Sequence, residues 1–247
     1  MPGLFHRRRW LLPFVSCCAA WLLAMNVAAQ EPLQIESAVV GFDGVYKAGY
    51  WTQIELKLKA GPSGAQGRLN LLTEDGDGVP VIYPAELDSP LDLNARESTT
   101  VRLYGKAGPQ RSQWQLQLRT GNDDRLVWSQ RLDVPPPQRA TRELLVTAGS
   151  AANIANAAAL VKRPEEVTLL VAPVKETADL PDRVWAYEGV ERLLLMASER
   201  TEVAQLTPQQ IMAIDQWVKL GGKLIFSIGS QAPDLLDPAH PLAKLAP

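Results

Sequence analysis

Residues 206–228 read LTPQQIMAIDQWVKLGGKLIFSI and predict a capped α-helix followed by a buried strand. Thr207 lies where the N-cap belongs, Pro208 suits the first helical position, and Gln210 follows the cap by three residues, which completes a capping box. Apolar residues then recur at helical spacing up to Gly221-Gly222, where a left-handed residue can end the helix. Because every start and stop signal agrees, this helix is the best-specified element of the chain.

The alternation of strand and helix extends back to residue 142. Four apolar blocks are predicted to be strands: Leu144–Thr147, Val167–Ala172, Leu193–Ala197 and Lys223–Ile228. An alanine-rich stretch after the first block predicts a helix that Ser150 can cap. Near-continuous apolar strands that alternate with helices form parallel sheets covered on both faces. Residues 142–247 are therefore predicted to form a partial α/β doubly wound parallel sheet of about four strands.

The predicted first domain, residues 30–134, follows a period of two from Leu33 to Val134, which puts one face of each strand inward and the other in water. Seven strands are predicted: Ile35–Val40, Gln53–Lys59, Arg68–Thr73, Val79–Tyr83, Thr99–Tyr104, Gln113–Arg119 and Leu126–Val134. This number of short strands in about a hundred residues favours an all-β immunoglobulin-like sandwich, with an open barrel as the structural alternative. Pro135-Pro136-Pro137 forms a stiff extended segment, so residues 135–141 are predicted to be a proline-rich linker between two domains.

The first 29 residues have the order of a secretory signal. Three arginines at 7–9 precede an apolar stretch from Trp10 to Val27, and small residues follow up to Ala29. We therefore expect residues 1–29 to be a signal peptide that is cleaved after Ala29, with an uncleaved membrane anchor as the alternative. Cys17 and Cys18, the two cysteines of the chain, both lie in this segment, so the exported form is expected to contain no thiol.

The charge balance excludes some partners. The chain has 25 basic and 27 acidic residues, and loss of the three signal arginines leaves 22 against 27, a formal charge of −5. Such a chain offers no basic patch for nucleic acid or for an anionic membrane surface. We expect membrane attachment only through an uncleaved signal or through a C-terminal segment that this sequence lacks, and otherwise localisation in the periplasm or cell envelope.

Part of the second domain resembles the class I glutamine amidotransferase-like superfamily. The resemblance is carried by residues 180–191, by the run Leu193-Leu194-Leu195 and by the capped helix with its Gly-Gly ending. More narrowly, the order of the two domains resembles that of bacterial envelope proteins, in which a flavodoxin-like domain of this kind follows an immunoglobulin-like one. The resemblance implies an exported envelope protein that acts in binding or assembly and is derived from a membrane-tethered parent.

The same resemblance bears on catalysis. In the enzymes of that superfamily, a nucleophilic cysteine follows the strand after the Gly-Gly pair, and the matching position here falls at Gly229, which has no nucleophile. Ser230 is adjacent but lacks the two flanking glycines of a serine elbow. A hydrolase relay of Ser230, His240 and Asp237 is the alternative, since His240 is the one histidine after the signal. We predict a non-catalytic protein without a cofactor.

Ligand-binding candidates come from the usual position of ligands on doubly wound sheets and from one aromatic residue. Doubly wound sheets bind ligands beyond the carboxyl ends of their strands, which selects Gly149, Ser150, Ser198 and Gly229. Trp51 has the opposite parity to the core residues of its strand, so it is either exposed or lies at a bulge or strand end. An exposed Trp51 would suit a carbohydrate-binding module. The expected partner is an envelope protein or a glycan.

The remaining motifs have structural interpretations. Residues 75–78 read DGDG, but no acidic residue follows at the spacing of a calcium loop, so a hairpin turn is predicted. One histidine and no cysteine after the signal leave no zinc-binding set, and no metal site is predicted. Trp114 and Trp128 share parity with neighbouring leucines and are predicted to fill the core.

Overall fold

The computed structural model describes residues 31–87, 89–120, 124–149, 169–196, 206–227, 237 and 241–245. The expected signal peptide and the expected helix after Ser150 lie outside these residues. Two parts of the chain are named as follows: residues 31–134 are the antiparallel half, and residues 142–245 are the parallel half.

The described elements of the antiparallel half are eight strands. They are β1 (Leu33–Val40), β2 (Trp51–Ala60), β3 (Ala65–Glu74), β4 (Pro80–Pro84), β5 (Leu91–Leu93), β6 (Ser98–Lys106), β7 (Gln115–Thr120) and β8 (Arg125–Arg131). The described elements of the parallel half are β9 (Glu143–Ala148), β10 (Leu169–Val174), β11 (Arg192–Met196), the helix α1 (Pro208–Lys219) and β12 (Lys223–Ser227). Short 3₁₀ turns occur at Thr177–Asp179, Val184–Tyr187 and Pro241–Leu245.

Two antiparallel sheets make up the first half. One sheet has the order β1-β2-β6, and the other has the order β4-β3-β7-β8 with β5 paired to β3. Their inward faces share one hydrophobic cluster, in which Ile54, Leu56 and Leu116 are fully buried. Trp114 and Trp128 also lie in this cluster, which confirms that both fill the core.

The prediction of seven strands was wrong by one, because β5 was missed. This strand has three residues, too few to show a period, and it pairs with Ala65–Gly67 at the beginning of β3. The last predicted strand was too long, since β8 ends at Arg131. The DGDG turn is confirmed: Asp75 Oδ1 accepts the backbone N–H groups of Asp77 and Val79, both at 2.9 Å, between the antiparallel strands β3 and β4.

The second half contains the predicted parallel sheet. Its order is β10-β9-β11-β12, and each neighbouring pair is parallel. The two central strands, β9 and β11, are mostly buried, as their apolar composition requires, whereas the edge strands β10 and β12 are only partly buried. The parallel arrangement and the four strands are thus confirmed in the residues that the structure describes.

The helix α1 begins and ends as predicted. Thr207 Oγ1 accepts the N–H of Gln210 at 3.2 Å, and Gln210 Oε1 accepts the N–H of Thr207 at 2.8 Å, so both bonds of the capping box are present. Gly221 has φ +104°, and a Cβ on Gly222 would lie 2.2 Å from the Trp217 ring. Glycine is therefore required at 222 by the close approach of the Trp217 side chain.

A second hydrophobic cluster lies in the parallel half but includes a residue of the antiparallel half. Phe42, from the connection between β1 and β2, lies 5.9 Å from the ring of Tyr187, which in turn lies 5.8 Å from the ring of Trp217. Tyr187 is fully buried at the centre of this stack.

Among the residues described, no helix is both long and apolar enough to cross a membrane.

Candidate binding groove

The connection from β10 to β11 lies between the helix α1 and the antiparallel half. We call residues 177–191 the docking segment. On the helix side, Gln210 Nε2 donates to the carbonyl oxygens of Leu180 at 2.6 Å and Ala178 at 2.9 Å. The Tyr187 hydroxyl donates to the carbonyl of Pro181 at 3.0 Å. These bonds satisfy polar groups that would otherwise be buried without partners, and they fix the shape of the segment.

On its other side, the docking segment contacts the outward face of β2 and β6. The Tyr104 hydroxyl donates to Asp182 Oδ1 at 2.6 Å, and an Arg102 guanidinium N–H donates to the carbonyl of Ala178 at 2.8 Å. Gln53 Nε2 donates to the carbonyl of Asp179 at 3.2 Å. Because the residues on this face alternate with core residues along their strands, the same two strands build the core of the antiparallel half and the docking contacts.

Burial in this contact changes the ionisation of two groups. Desolvation, together with the hydrogen bond to Asp182, holds the pKa of Tyr104 well above that of an ordinary tyrosine. Desolvation, followed by repulsion from Glu55, raises the pKa of Asp179 above its usual value. The Tyr104 hydroxyl therefore remains a proton donor throughout the neutral range.

An ion pair between a buried lysine and a partly exposed glutamate adds a further link between the halves. The Lys47 side chain is completely buried, and its Nζ lies 2.6 Å from Glu191 Oε1 and 2.8 Å from Oε2. Glu191 Oε2 also accepts the N–H of Leu144 at 2.6 Å, at the beginning of β9. A buried ammonium requires such a partner, since the desolvation of an unpaired charge is strongly unfavourable.

A groove opens along the junction beside these contacts. Its larger part is a cavity of about 610 Å³, whose lining includes Trp51, Trp185, Glu188 and Trp217. Its smaller part is a cavity of about 380 Å³, lined by Trp51, Tyr83, Pro84, Glu86, Tyr104 and Trp185. Trp51 and Trp185 line both cavities, so we call the two together the aromatic groove. Volumes of this size and an aromatic lining are typical of small-ligand sites.

Trp51 is the predicted site residue that the structure brings into this groove. It is the first residue of β2, which confirms the strand-end interpretation, and it follows a bend at Gly49 with φ +82°. Its ring packs edge-on against Tyr83 with 5.2 Å between centroids, and its backbone N–H donates to Glu188 Oε2 at 3.1 Å. The opposite parity of Trp51 in the sequence was the signal of this position.

The groove does not lie where the rule for parallel sheets places ligands. The larger cavity is lined by Glu143, Arg192 and Lys223, the first residues of β9, β11 and β12, so it lies at the amino ends of these strands. Gly149 follows β9 at the opposite end and has φ +92°. The other three candidates on that rim, Ser150, Ser198 and Gly229, lie outside the described residues.

The hydrolase alternative also depends on residues that the structure does not describe. Ser230 and His240 lie outside the described part of the chain, and Asp237 lies in an exposed bend. The Ser230, His240 and Asp237 relay therefore stays a prediction. Among the described residues, no group of three or more His, Cys, Asp or Glu side chains is placed to hold a metal ion.

Sequence reasoning missed most of the groove. Trp185, Tyr83, Tyr104 and Glu86 come from the docking segment, from β4, from β6 and from the loop after β4. Tyr104 has the same parity as Arg102, opposite to the core residues Val101 and Leu103, a weak signal like that of Trp51. For Trp185, the signal was the run of residues 180–191 that carries the family resemblance, but that run did not indicate what it contacts.

Comparison with known proteins adds little to this geometry. No protein-family model matches the chain, and no curated protein matches it. Among solved structures, the chain is similar to the Pseudomonas fluorescens alkylpurine DNA glycosylase AlkC bound to DNA containing an abasic site analog, with 12% identity and a TM-score of 0.30. This match covers 47% of the chain and 33% of the glycosylase chain, and a similarity this weak supports no argument about fold or function.

Proposed function

We propose that this chain is an exported, non-catalytic protein of the cell envelope that binds its partner in the aromatic groove. In this proposal the antiparallel half is an immunoglobulin-like sandwich, and the parallel half is a flavodoxin-like sheet that no longer carries out the chemistry of its enzyme relatives. The partner is an envelope protein or a glycan.

Two features support the proposed fold assignments. In chain order, the parallel strands are arranged second, first, third, fourth, as in flavodoxin-like sheets. The antiparallel half has two sheets around one closed core, the arrangement of an immunoglobulin-like sandwich. The first of these is the more specific, because the position of the switch in strand order distinguishes the doubly wound folds from one another.

The observation that carries the binding proposal is the aromatic lining at the junction. Trp51 and Tyr104 are half-buried, whereas Trp185 is 38% exposed, so none of these rings is enclosed in a core. Aromatic side chains that remain accessible on rigid elements provide much contact area with little loss of conformational entropy on binding. A core role explains Trp114 and Trp128, but it does not explain rings that face an open groove.

The tryptophans themselves provide the test. Five tryptophans follow residue 29, and their indole N–H resonances can be followed by NMR while soluble peptidoglycan fragments, which carry both glycan and peptide, are added. We expect saturable shifts of the Trp51 and Trp185 resonances, while those of Trp114 and Trp128 stay in place as internal controls. Trp51→Ala and Trp185→Ala should each weaken the binding about tenfold or more, as expected for aromatic anchors.

Absence of any shift at Trp51 and Trp185 at millimolar fragment would contradict the proposal for glycan and peptide ligands. Shifts of equal size at the groove and core tryptophans would also contradict it, since they would indicate a general change in the fold. A Trp128→Phe variant serves as a matched control, because it replaces a core indole by a smaller ring and should leave the affinity unchanged.

A further inference from the structure

The smaller cavity of the groove has an unusual lining. Four of its six lining residues are aromatic: Trp51, Tyr83, Tyr104 and Trp185. The fifth is Pro84, and the sixth, Glu86, is the one charged residue among them. We call this part the aromatic cage. A ligand class inferred from this cage rests on the proposed binding function of the groove and goes beyond the partners named for it.

The rings of the aromatic cage are arranged in two pairs. Trp51 meets Tyr83 at an interplanar angle of 67°, and Tyr104 meets Trp185 at 79° with 6.4 Å between centroids. In such edge-to-face pairs, the positive edge of one ring contacts the negative face of the other. Rings of both pairs contribute to the same cavity, and a cation within about 6 Å of a ring centroid is attracted by the face of that ring.

The charge of the cage also favours a cationic ligand. Glu86 adds a carboxylate to the rings, and the chain after residue 29 has a formal charge of −5. Arg183 Nε lies 4.0 Å from Glu86 Oε2, but both side chains are exposed, so this pair is weak and leaves the carboxylate able to contact a ligand. An anionic ligand would meet repulsion here, whereas a cationic one would be attracted.

The cage is held in place before any ligand binds. Tyr104 is held by its hydrogen bond to Asp182, and Trp51 by its ring contact with Tyr83 and by the bond from its backbone N–H to Glu188 Oε2. Tyr83 packs over Gly105, where an added Cβ would lie 3.3 Å from the Tyr83 ring and 2.8 Å from that of Trp114. Glycine at 105 therefore makes room mainly for Trp114, with Tyr83 packed beside it. A preorganised site loses little free energy on binding.

The polar groups of the cage distinguish a cation from a sugar. A sugar needs several hydrogen-bond donors and acceptors to orient its hydroxyl groups. The Tyr104 hydroxyl already donates to Asp182, so the side-chain polar groups left in this mainly aromatic lining are two indole N–H groups, the Tyr83 hydroxyl and the Glu86 carboxylate, its one charged group. From these contacts the geometry points to an organic cation of the quaternary ammonium class, bound between the four rings with its charge balanced by Glu86.

The test compares two molecules of the same shape. Choline carries a trimethylammonium group, and 3,3-dimethylbutan-1-ol replaces its nitrogen by carbon and is neutral. In titrations of the full exported chain, we expect choline to shift the Trp51 and Trp185 indole resonances with an affinity about tenfold higher than that of the neutral alcohol. Equal affinities would overturn the inference, since they would show that only apolar contact is recognised.

Variants separate the charge from the rings. Glu86→Gln should weaken choline binding severalfold and leave binding of the neutral alcohol unchanged, whereas Trp51→Ala should weaken both. Asp133→Asn is the matched control, because Asp133 is an exposed carboxylate that does not line the cage. If Glu86→Gln leaves the preference for choline intact, Glu86 is not the counter-charge and the inference is wrong.

The source of the cation is decided by a further arm. Co-sedimentation with phosphatidylcholine vesicles, but not with phosphatidylglycerol vesicles, would place the cation on a lipid headgroup, and binding of free choline without co-sedimentation would place it on a soluble ligand. Both results support cation recognition. If peptidoglycan fragments bind and choline does not, this inference fails while the proposed function stands; if neither binds, both fail.

Discussion

The two halves of the molecule differ in how far each one supplies its own core. All members of the first hydrophobic cluster, from Leu33 to Leu132, belong to the antiparallel half. The second cluster depends on the other half, because Phe42 packs into it and Val45 packs against it. The dependence therefore runs in one direction: the antiparallel half closes its own core, whereas the parallel half needs the connection between β1 and β2 to complete its core.

The docking segment explains why a groove exists at all. The aromatic ring of its Tyr187 belongs to the core of the parallel half, and the polar groups of the segment bind the face of β2 and β6. Both sets of contacts hold the same short segment and so position Trp185. Trp185 and Trp51 therefore line the same cavity although the two rings need not touch each other. The rings that line the groove are thus supplied by both halves.

The strongest test of this difference is the substitution Phe42→Ala. It removes a ring from the second cluster although residue 42 lies in the antiparallel half, and we expect a loss of about 3 kcal/mol in the free energy of unfolding. The Trp217 indole resonance should shift in the folded variant, while the Trp114 resonance should not. Urea unfolding and NMR spectra measure the two effects.

A shift of the Trp114 resonance with none at Trp217 would show that Phe42 packs into the core of the antiparallel half. The parallel half would then not depend on this residue. Phe42→Leu is the matched control, since it keeps an apolar side chain at the site and should lose about half as much stability.

Breaking the buried ion pair should have the next largest effect. Glu191→Gln leaves the Lys47 ammonium buried without a counter-charge, and we expect a loss of about 2 kcal/mol, reduced from the usual range because Glu191 is 39% exposed. The double variant Lys47→Met with Glu191→Gln should recover part of this loss, since Met occupies the volume of the lysine stem without its charge. If the loss in the double variant equals the sum of the losses in Glu191→Gln and Lys47→Met alone, the pair does not couple the halves.

How much of this could be predicted from the sequence depended on the range of the interactions. The capping box of α1 was predicted correctly because Thr207 and Gln210 are neighbours in the chain and contact each other. The strand β5 was missed because its formation depends on pairing with β3 rather than on a pattern within its own three residues. The groove was missed because the contact of Tyr104 with Asp182 joins residues 78 positions apart, and nothing local marks such a pair.

The next prediction concerns that long-range contact. Tyr104→Phe removes the hydroxyl that binds Asp182 and keeps the ring, so we expect a loss of about 1.5 kcal/mol in stability. Since the ring still lines the groove, choline affinity should fall only through loosening of Trp185, by a few-fold. Calorimetry gives the first value and the indole titration the second; an unchanged stability would show that this hydrogen bond does not hold the halves together.

The cap of α1 offers a smaller and purely local perturbation. Thr207→Ala removes the hydroxyl that caps the helix, and we expect a loss of about 1 kcal/mol, with Thr207→Ser close to the unaltered protein. The effect should be confined to the parallel half, so hydrogen exchange should increase in α1 and leave β2 and β6 unchanged. Faster exchange in β2 after this change would mean that the dependence runs in both directions.

The smallest expected effect is a pH-dependent one at Asp179. Partial desolvation and the charge of Glu55 raise the pKa of this exposed carboxyl, so the folded state binds its proton more tightly than the unfolded state, and stability falls as the pH rises through this range. Asp179→Asn should therefore be slightly more stable than the unaltered protein at pH 7. The gain should disappear as the pH falls towards the ordinary value of 3.8, and thermal unfolding at pH 7 and pH 3 measures it. A gain that persists at pH 3 would have another cause.

The parallel half, and with it the groove, depends on an antiparallel half that needs no help to close its own core. A urea titration of the chain from residue 30 onward, in which the Trp114, Trp185 and Trp217 indole resonances are followed together, measures this dependence. We expect the native resonances of Trp185 and Trp217 to disappear together, and before or with that of Trp114. A native Trp217 resonance that persists after the Trp114 resonance is lost would show that the dependence does not exist.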